Sequence, residues 1–235
     1  NMDLVTDYKK IYVESTEKLL EYLRTVYTDF QEDRRDFYLE IDKYYRALLI
    51  WKDTFSLRSY NIERDKLLYN ILHDYCSMVH NIAIVDIKVL YFLLRNIIES
   101  FVRYISNDLT TKDLEAAFSS VTANIVGDDK LQSFVRVYMS QLKQVYDEAC
   151  LYIHADTTRM NKDMYTLLSF NSEQDIVKLE IIRKDFVMIN IAMLSILKVK
   201  NVAVLEKMKE NARGYLNFVI PLEERIREQK ILYEY

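Results

Sequence analysis

Asp86-Ile-Lys-Val-Leu-Tyr-Phe-Leu-Leu-Arg-Asn-Ile-Ile-Glu-Ser-Phe-Val-Arg-Tyr-Ile105 is the stretch whose reading decides the fold of this chain. Ile87, Leu90, Tyr91, Leu94, Ile98, Phe101 and Ile105 recur at three- and four-residue intervals, the spacing of one helical face. Val89, Phe92, Leu93 and Ile97 cover most of the remaining circumference, which predicts a largely buried central helix. Only Lys88, Arg95, Glu99 and Arg103 form an ionic stripe. A stripe of that kind is either a wetted edge or a site.

Working outward, helical periodicity continues on both sides. Asp3 to about Phe30 carries Val5, Tyr8, Tyr12, Leu19, Tyr22, Leu23, Val26 and Phe30. After a polar bend, Phe37, Ile41, Tyr44, Tyr45, Leu48 and Trp51 mark a second helix to about Lys52, antiparallel to the first because the joint is short. A third helix is predicted over about Ile62 to His80, with Leu67, Leu68, Ile71, Tyr75 and Met78 inward. A weak break follows, and Asp86 supplies an N-cap for the central helix. Beyond it come a short helix capped by Thr111, a loop at Gly127-Asp128-Asp129 and a long helix reaching about His154. The stretch from Asp156 to Asn171 lacks clean periodicity, and Ser172-x-x-Asp175 resembles a capping box. The helix it opens, to about Lys198, carries Ile176, Leu179, Ile182, Phe186, Ile189, Met193 and Ile196. A last segment from Asn201 is interrupted by Pro221 and followed by a charged tail helix. The expectation is an all-α, single-domain bundle of about seven to eight helices over residues 2–235, Asn1 reading as a vector remnant.

Composition narrows the function classes. Two Gly and one Pro leave no material for tight hairpins or Gly-rich phosphate loops, which excludes Rossmann and P-loop readings. A net charge of -4 argues against a general nucleic-acid coat, while a local basic pocket stays open. The apolar runs are too short to span a bilayer, and no signal peptide is visible, so no membrane partner is expected. Cys76 and Cys150 make no disulfide framework, as suits a reducing cytoplasm. The 19 Tyr suit core edges, with the ring buried and the hydroxyl wet.

Two groups of residues invite a chemical reading. Arg95, Glu99 and Arg103 are four apart; they read as an ordinary ladder of ion pairs, or as a phosphate clamp in which Glu99 orients the Arg95 fork. His154 closes the later helix, where the dipole favours it structurally, and where its near-neutral pKa also suits a general base. His73, Cys76 and His80 share one helix face, with Cys150 and His154 on another. Those ligand types suit zinc, but the spacing lacks a regular motif, and no metal or other cofactor is assigned.

The piece Leu93-Leu-Arg-Asn-Ile-Ile-Glu-Ser-Phe101, with the later Tyr146 to Cys150 and Tyr152-Ile-His-Ala155, resembles the HEPN superfamily of helical bundles, over about the middle third of the chain. The resemblance implies a compact, often dimeric bundle. Many members are metal-independent ribonucleases of bacterial toxin, antitoxin or phage-defence systems, and others have lost catalysis. Arg95-Asn96 matches the start of the catalytic signature, but Ser100, Phe101 and Val102 occupy the positions of its His. Catalysis would then need His154 as base for 2′-hydroxyl attack, Arg95 as phosphate clamp and Glu99 as its orienting group. The alternative is a non-catalytic interaction or dimerisation module whose Tyr-rich faces meet a protein partner or a second copy.

Overall fold

The computed structural model describes residues 2–27, 30–56, 62–106, 114–123, 129–154 and 173–233. Among them the chain forms ten α-helices and one 3-10 turn, where seven or eight helices were expected, and no strand. These are α1 (Met2–Val26), the 3-10 turn (Glu32–Arg34), α2 (Arg35–Ser56), α3 (Ile62–Ile84), α4 (Ile87–Ser106), α5 (Leu114–Ala123) and α6 (Asp129–Ile153). α7 (Glu173–Lys200), α8 (Val202–Glu206), α9 (Glu210–Val219) and α10 (Leu222–Tyr233) complete it. One of the additional helices arises after Asn201, where a single expected segment folds as α8 and α9. Thr111, Gly127, Asp128, Ser172 and the stretch from Asp156 to Asn171 lie outside the described residues.

α4 is the centre, packed against α3, α5, α6 and α7. All seven residues of its predicted face are buried, as are Leu93 and Ile97. Its other flank differs from the expectation: Val89 is half-buried and Phe92 is 44% exposed, lying on the same outer stripe as Lys88, Arg95 and Glu99.

The joint between α3 and α4 explains their tight antiparallel pairing. α3 runs four residues beyond the expected stop and ends in a double-bonded cap. The Asp86 N–H donates to Asn81 O at 2.9 Å and the Val85 N–H to Ile82 O at 3.2 Å. That cap places Val85 at φ 55°, a left-handed conformation in which a β-branched residue is strained. Arg34, buried in the 3-10 turn, spans this corner and donates to Ile82 O at 3.1 Å and Ala83 O at 2.8 Å. Asp86 then caps α4 as expected, its Oδ1 accepting from the Val89 N–H at 3.1 Å. At the far end of α4, cations answer its last carbonyls: Arg64 donates to Tyr104 O at 3.0 Å and Lys200 to Ile105 O at 3.2 Å.

The buried apolar residues form one connected cluster. Phe186 of α7 is an aromatic hub, its ring centroid 5.7 Å from Phe37, 6.1 Å from Tyr44 and 5.0 Å from Tyr75. One polar thread crosses this core: Tyr75 donates to Asn190 Oδ1, and Asn190 Nδ2 donates to Phe186 O at 2.8 Å. The α1 face is as expected in part: Leu23 is in the core, and Tyr8 and Leu19 pack against it. Thr16, Leu20 and Leu23 are buried, whereas Tyr22 and Val26 are about half exposed. Gly214 of α9 lets α1 approach, since a Cβ there would meet the Tyr8 hydroxyl at 2.5 Å. No helix among the described residues is long and apolar enough to cross a membrane.

Candidate functional site

The ionic stripe of α4 faces the seam with α6, and two aromatic contacts fix its register. Tyr91 packs on Tyr152 with centroids 4.5 Å apart, and four residues later Arg95 meets Tyr146, so the helices run antiparallel. Arg95 Nε donates to the Tyr146 hydroxyl at 3.4 Å, and its guanidinium lies 5.6 Å from the Tyr146 ring centroid. On its other side Arg95 Nη2 is 3.7 Å from Glu99 Oε2.

Glu99 is shared. Its Oε1 accepts from Arg103 Nη2 at 3.0 Å and from Arg103 Nε at 3.2 Å, a closer engagement than with Arg95. The residue that hydrogen-bonds Arg95 is therefore Tyr146, for which no role is expected from sequence. The Tyr146 bond, followed by the field of Tyr146, Cys150 and Glu99, raises the Arg95 pKa against the opposing effect of burial. Burial in turn raises the Tyr146 pKa, opposed by Arg95. Arg95 thus stays a cation with 26% of its side chain exposed: fixed on two sides, open on a third. Such a fork can take a planar or tetrahedral oxyanion.

His154 stands apart from this cluster. It follows Tyr146 by eight residues, about 12 Å along the axis at 1.5 Å per residue. Its N–H donates to Cys150 O at 3.0 Å, and it is exposed, at the rim of a shallow depression shared with Asp147, Cys150 and Leu151. Between it and Arg95, Tyr152 is sandwiched by Tyr91 and by Lys178, whose Nζ lies 5.5 Å from the ring centroid. Arg95 and Glu99 are brought together; His154 lies beyond hydrogen-bond reach of the point where they converge.

The His and Cys clusters have separate surroundings. His80 Nδ1 is 2.9 Å from the Tyr27 hydroxyl, and Cys76 and Cys150 are free thiols. Among the described residues, no group of three or more His, Cys, Asp or Glu could hold a metal ion.

No protein-family model matches this chain, and no curated protein or solved structure is detectably similar to it.

Proposed function

We propose that this chain is an HEPN-like helical module of the cytoplasm that binds RNA through the seam of α4 and α6. The observation that carries the reading is the state of Arg95, held between Glu99 and Tyr146 yet partly exposed. In this role Arg95 receives a backbone phosphate while Glu99, itself held by Arg103, keeps the guanidinium in place. The offset of His154 favours binding over cleavage, because a general base must come within about 3 Å of the proton it removes.

The test is fluorescence anisotropy with a short single-stranded RNA at several salt concentrations, beside the same RNA incubated with protein in EDTA. The reading expects salt-dependent binding without cleavage. Arg95→Ala should weaken binding about tenfold and reduce the salt slope by about one phosphate contact. Binding that is absent at low salt, or unchanged in Arg95→Ala, overturns it. Cleavage lost in both Arg95→Ala and His154→Ala would restore the catalytic assignment.

A second reading, an interaction or dimerisation module, draws on Ile176, Val177 and Ile181, which leave 44%, 62% and 43% of their surface exposed on the first turns of α7. Light scattering distinguishes it: a dimer that dissociates on Val177→Glu favours that reading.

A further inference from the structure

Phe92 stands in the middle of the open side of α4 with 44% of its surface exposed. At about 100° of turn per residue, Lys88, Asn96, Glu99 and Arg103 leave the helix within about 40° of it, and Arg95 within about 60°. The neighbouring rings of the seam are engaged: Tyr146 by Arg95, and Tyr152 by Tyr91 and Lys178. Among the described residues, Phe92 has no aromatic or cationic partner of its own.

The surroundings of that ring select what it can meet. The open arc holds three cations against one carboxylate, in a chain whose net charge is -4. Glu99 is shared by Arg95 and Arg103, and Lys88 is exposed with no carboxylate partner among the described residues. The centre of a protein–protein interface is depleted in charge, whereas Phe92 is a single ring set among cations. Cations that follow a phosphate backbone, interleaved with an aromatic face, are the chemistry of single-strand binding. Lys88 and Arg95 are about 10 Å apart along the axis, with Phe92 about 6 Å from the first and about 4.5 Å from the second. The order cation, ring, cation puts an anion site on each side of one flat apolar face.

We propose that this stripe takes single-stranded RNA, with an unpaired base stacked on Phe92 and the flanking phosphates at Arg95 and Lys88. The proposal rests on the RNA-binding reading and adds the strand state of the ligand and the residue that selects it. In a duplex the base faces are stacked on one another and leave Phe92 nothing to meet. A phenyl ring neither donates nor accepts a hydrogen bond, so the stack contributes affinity without reading sequence.

The test is fluorescence anisotropy of the full chain with three labelled RNAs of equal length: a single strand, the same sequence as a duplex, and an abasic strand of ribose phosphates. The parent should bind the single strand about fivefold or more tighter than either of the others. Phe92→Ala should weaken single-strand binding by a similar factor with the salt slope unchanged, whereas Lys88→Ala should reduce that slope by about one phosphate contact. Phe92→Leu, which keeps apolar packing against the helix surface, should bind weakly as well, and full affinity in that variant overturns the stack. Phe92→Trp should retain the affinity and report the contact directly. Trp51, the single native tryptophan, is fully buried, so the added indole supplies the emission that the single strand quenches and the abasic strand does not. Arg95-dependent binding with no loss in Phe92→Ala, or equal binding of the abasic strand, overturns the stacked base and leaves the RNA-binding reading standing. Equal binding of the duplex overturns the single-strand class, and no binding of any strand at low salt overturns both readings. A dimer that dissociates on Phe92→Ala, with RNA binding unaltered, overturns the proposal and assigns the ring to a second copy.

Discussion

Removing the Arg34 side chain should loosen the α3–α4 corner by an amount that can be worked from its contacts. Arg34 is 6% exposed and donates two hydrogen bonds to Ile82 O and Ala83 O, carbonyls at the end of α3 where helical partners run out. A hydrogen bond from a charged donor contributes about 1.5–3 kcal/mol, and the two here share one guanidinium nitrogen, so together they count for about 2 kcal/mol. Arg34→Met keeps most of the apolar stem and should cost about that much. Arg34→Ala also empties the space the stem fills and should cost about 3 kcal/mol. The desolvation of the guanidinium itself, recovered on substitution, keeps both figures from being larger. The assay is urea unfolding, with an m-value near 3 kcal/mol/M for a chain of this size, so Arg34→Ala should lower the midpoint by about 1 M with m unchanged. Hydrogen exchange at the Val85 and Asp86 amides should accelerate in step, since both belong to the cap that Arg34 braces. An Arg34→Met variant within about 0.5 kcal/mol of the parent, with those amides still protected, would refute the reasoning.

Burial raises the carboxyls of Asp74 and Asp185 to about 6, with Glu148 adding to the effect at Asp185. The folded state holds these protons more tightly than the unfolded one, so their contribution is present below the ordinary carboxyl range and lost as pH rises through about 6. Asp74→Asn and Asp185→Asn should therefore each stabilise at pH 7.5, by about 1 kcal/mol once solvent screening is allowed for, with the gain vanishing near pH 4 in matched thermal melts. Tyr75→Phe leaves Asn190 Oδ1 unpaired in the core and should cost about 1–3 kcal/mol in denaturant melts; a neutral result would mean that Asn190 finds another donor. Lys198→Met should cost about 3–5 kcal/mol by stranding Glu228, while Lys198→Met combined with Glu228→Leu should recover most of it. Equal losses in the single and double variants would show that the ion pair is not the relevant contact.

What could be read in the chain was periodic and local. The inward face of α4, its Asp86 cap and the helices on either side all rest on three- and four-residue spacing or on a side chain bonding its own helix's first turn. The α1 face was legible in part: Tyr8, Leu19 and Leu23 do pack inward, but Leu19 and Leu20 are adjacent and offer two registers, and the helix also buries Leu20 and Thr16, the latter a residue that hydropathy counts against. The Val85 corner was illegible for a different reason. A left-handed cap ordinarily announces itself by Gly or Asn, and here a Val is held there by an Arg about fifty residues earlier. The buried ion pair was equally hidden: Lys198 and Glu228 look like ordinary helix-surface charges until α7 and α10 fold against one another.

The same division runs through the Arg95 cluster and bears on what it can do. Its ion pairs with Glu99 and, through Glu99, with Arg103 lie within one helix and follow from spacing. Its hydrogen bond to Tyr146 depends on the register of α4 against α6, which no spacing within either helix determines. That register also sets the distance to His154. Tyr91 against Tyr152 and Arg95 against Tyr146 are two pins in one antiparallel seam, and a shift that carried His154 toward Arg95 would have to break both. The aromatic pair alone is worth about 0.5–1.5 kcal/mol beyond its buried area, so such a slip is resisted by more than the hydrogen bond it would sacrifice. A phosphate held by Arg95 is then a phosphate with no imidazole from the same chain beside it, which is the physical reason to look for binding before cleavage.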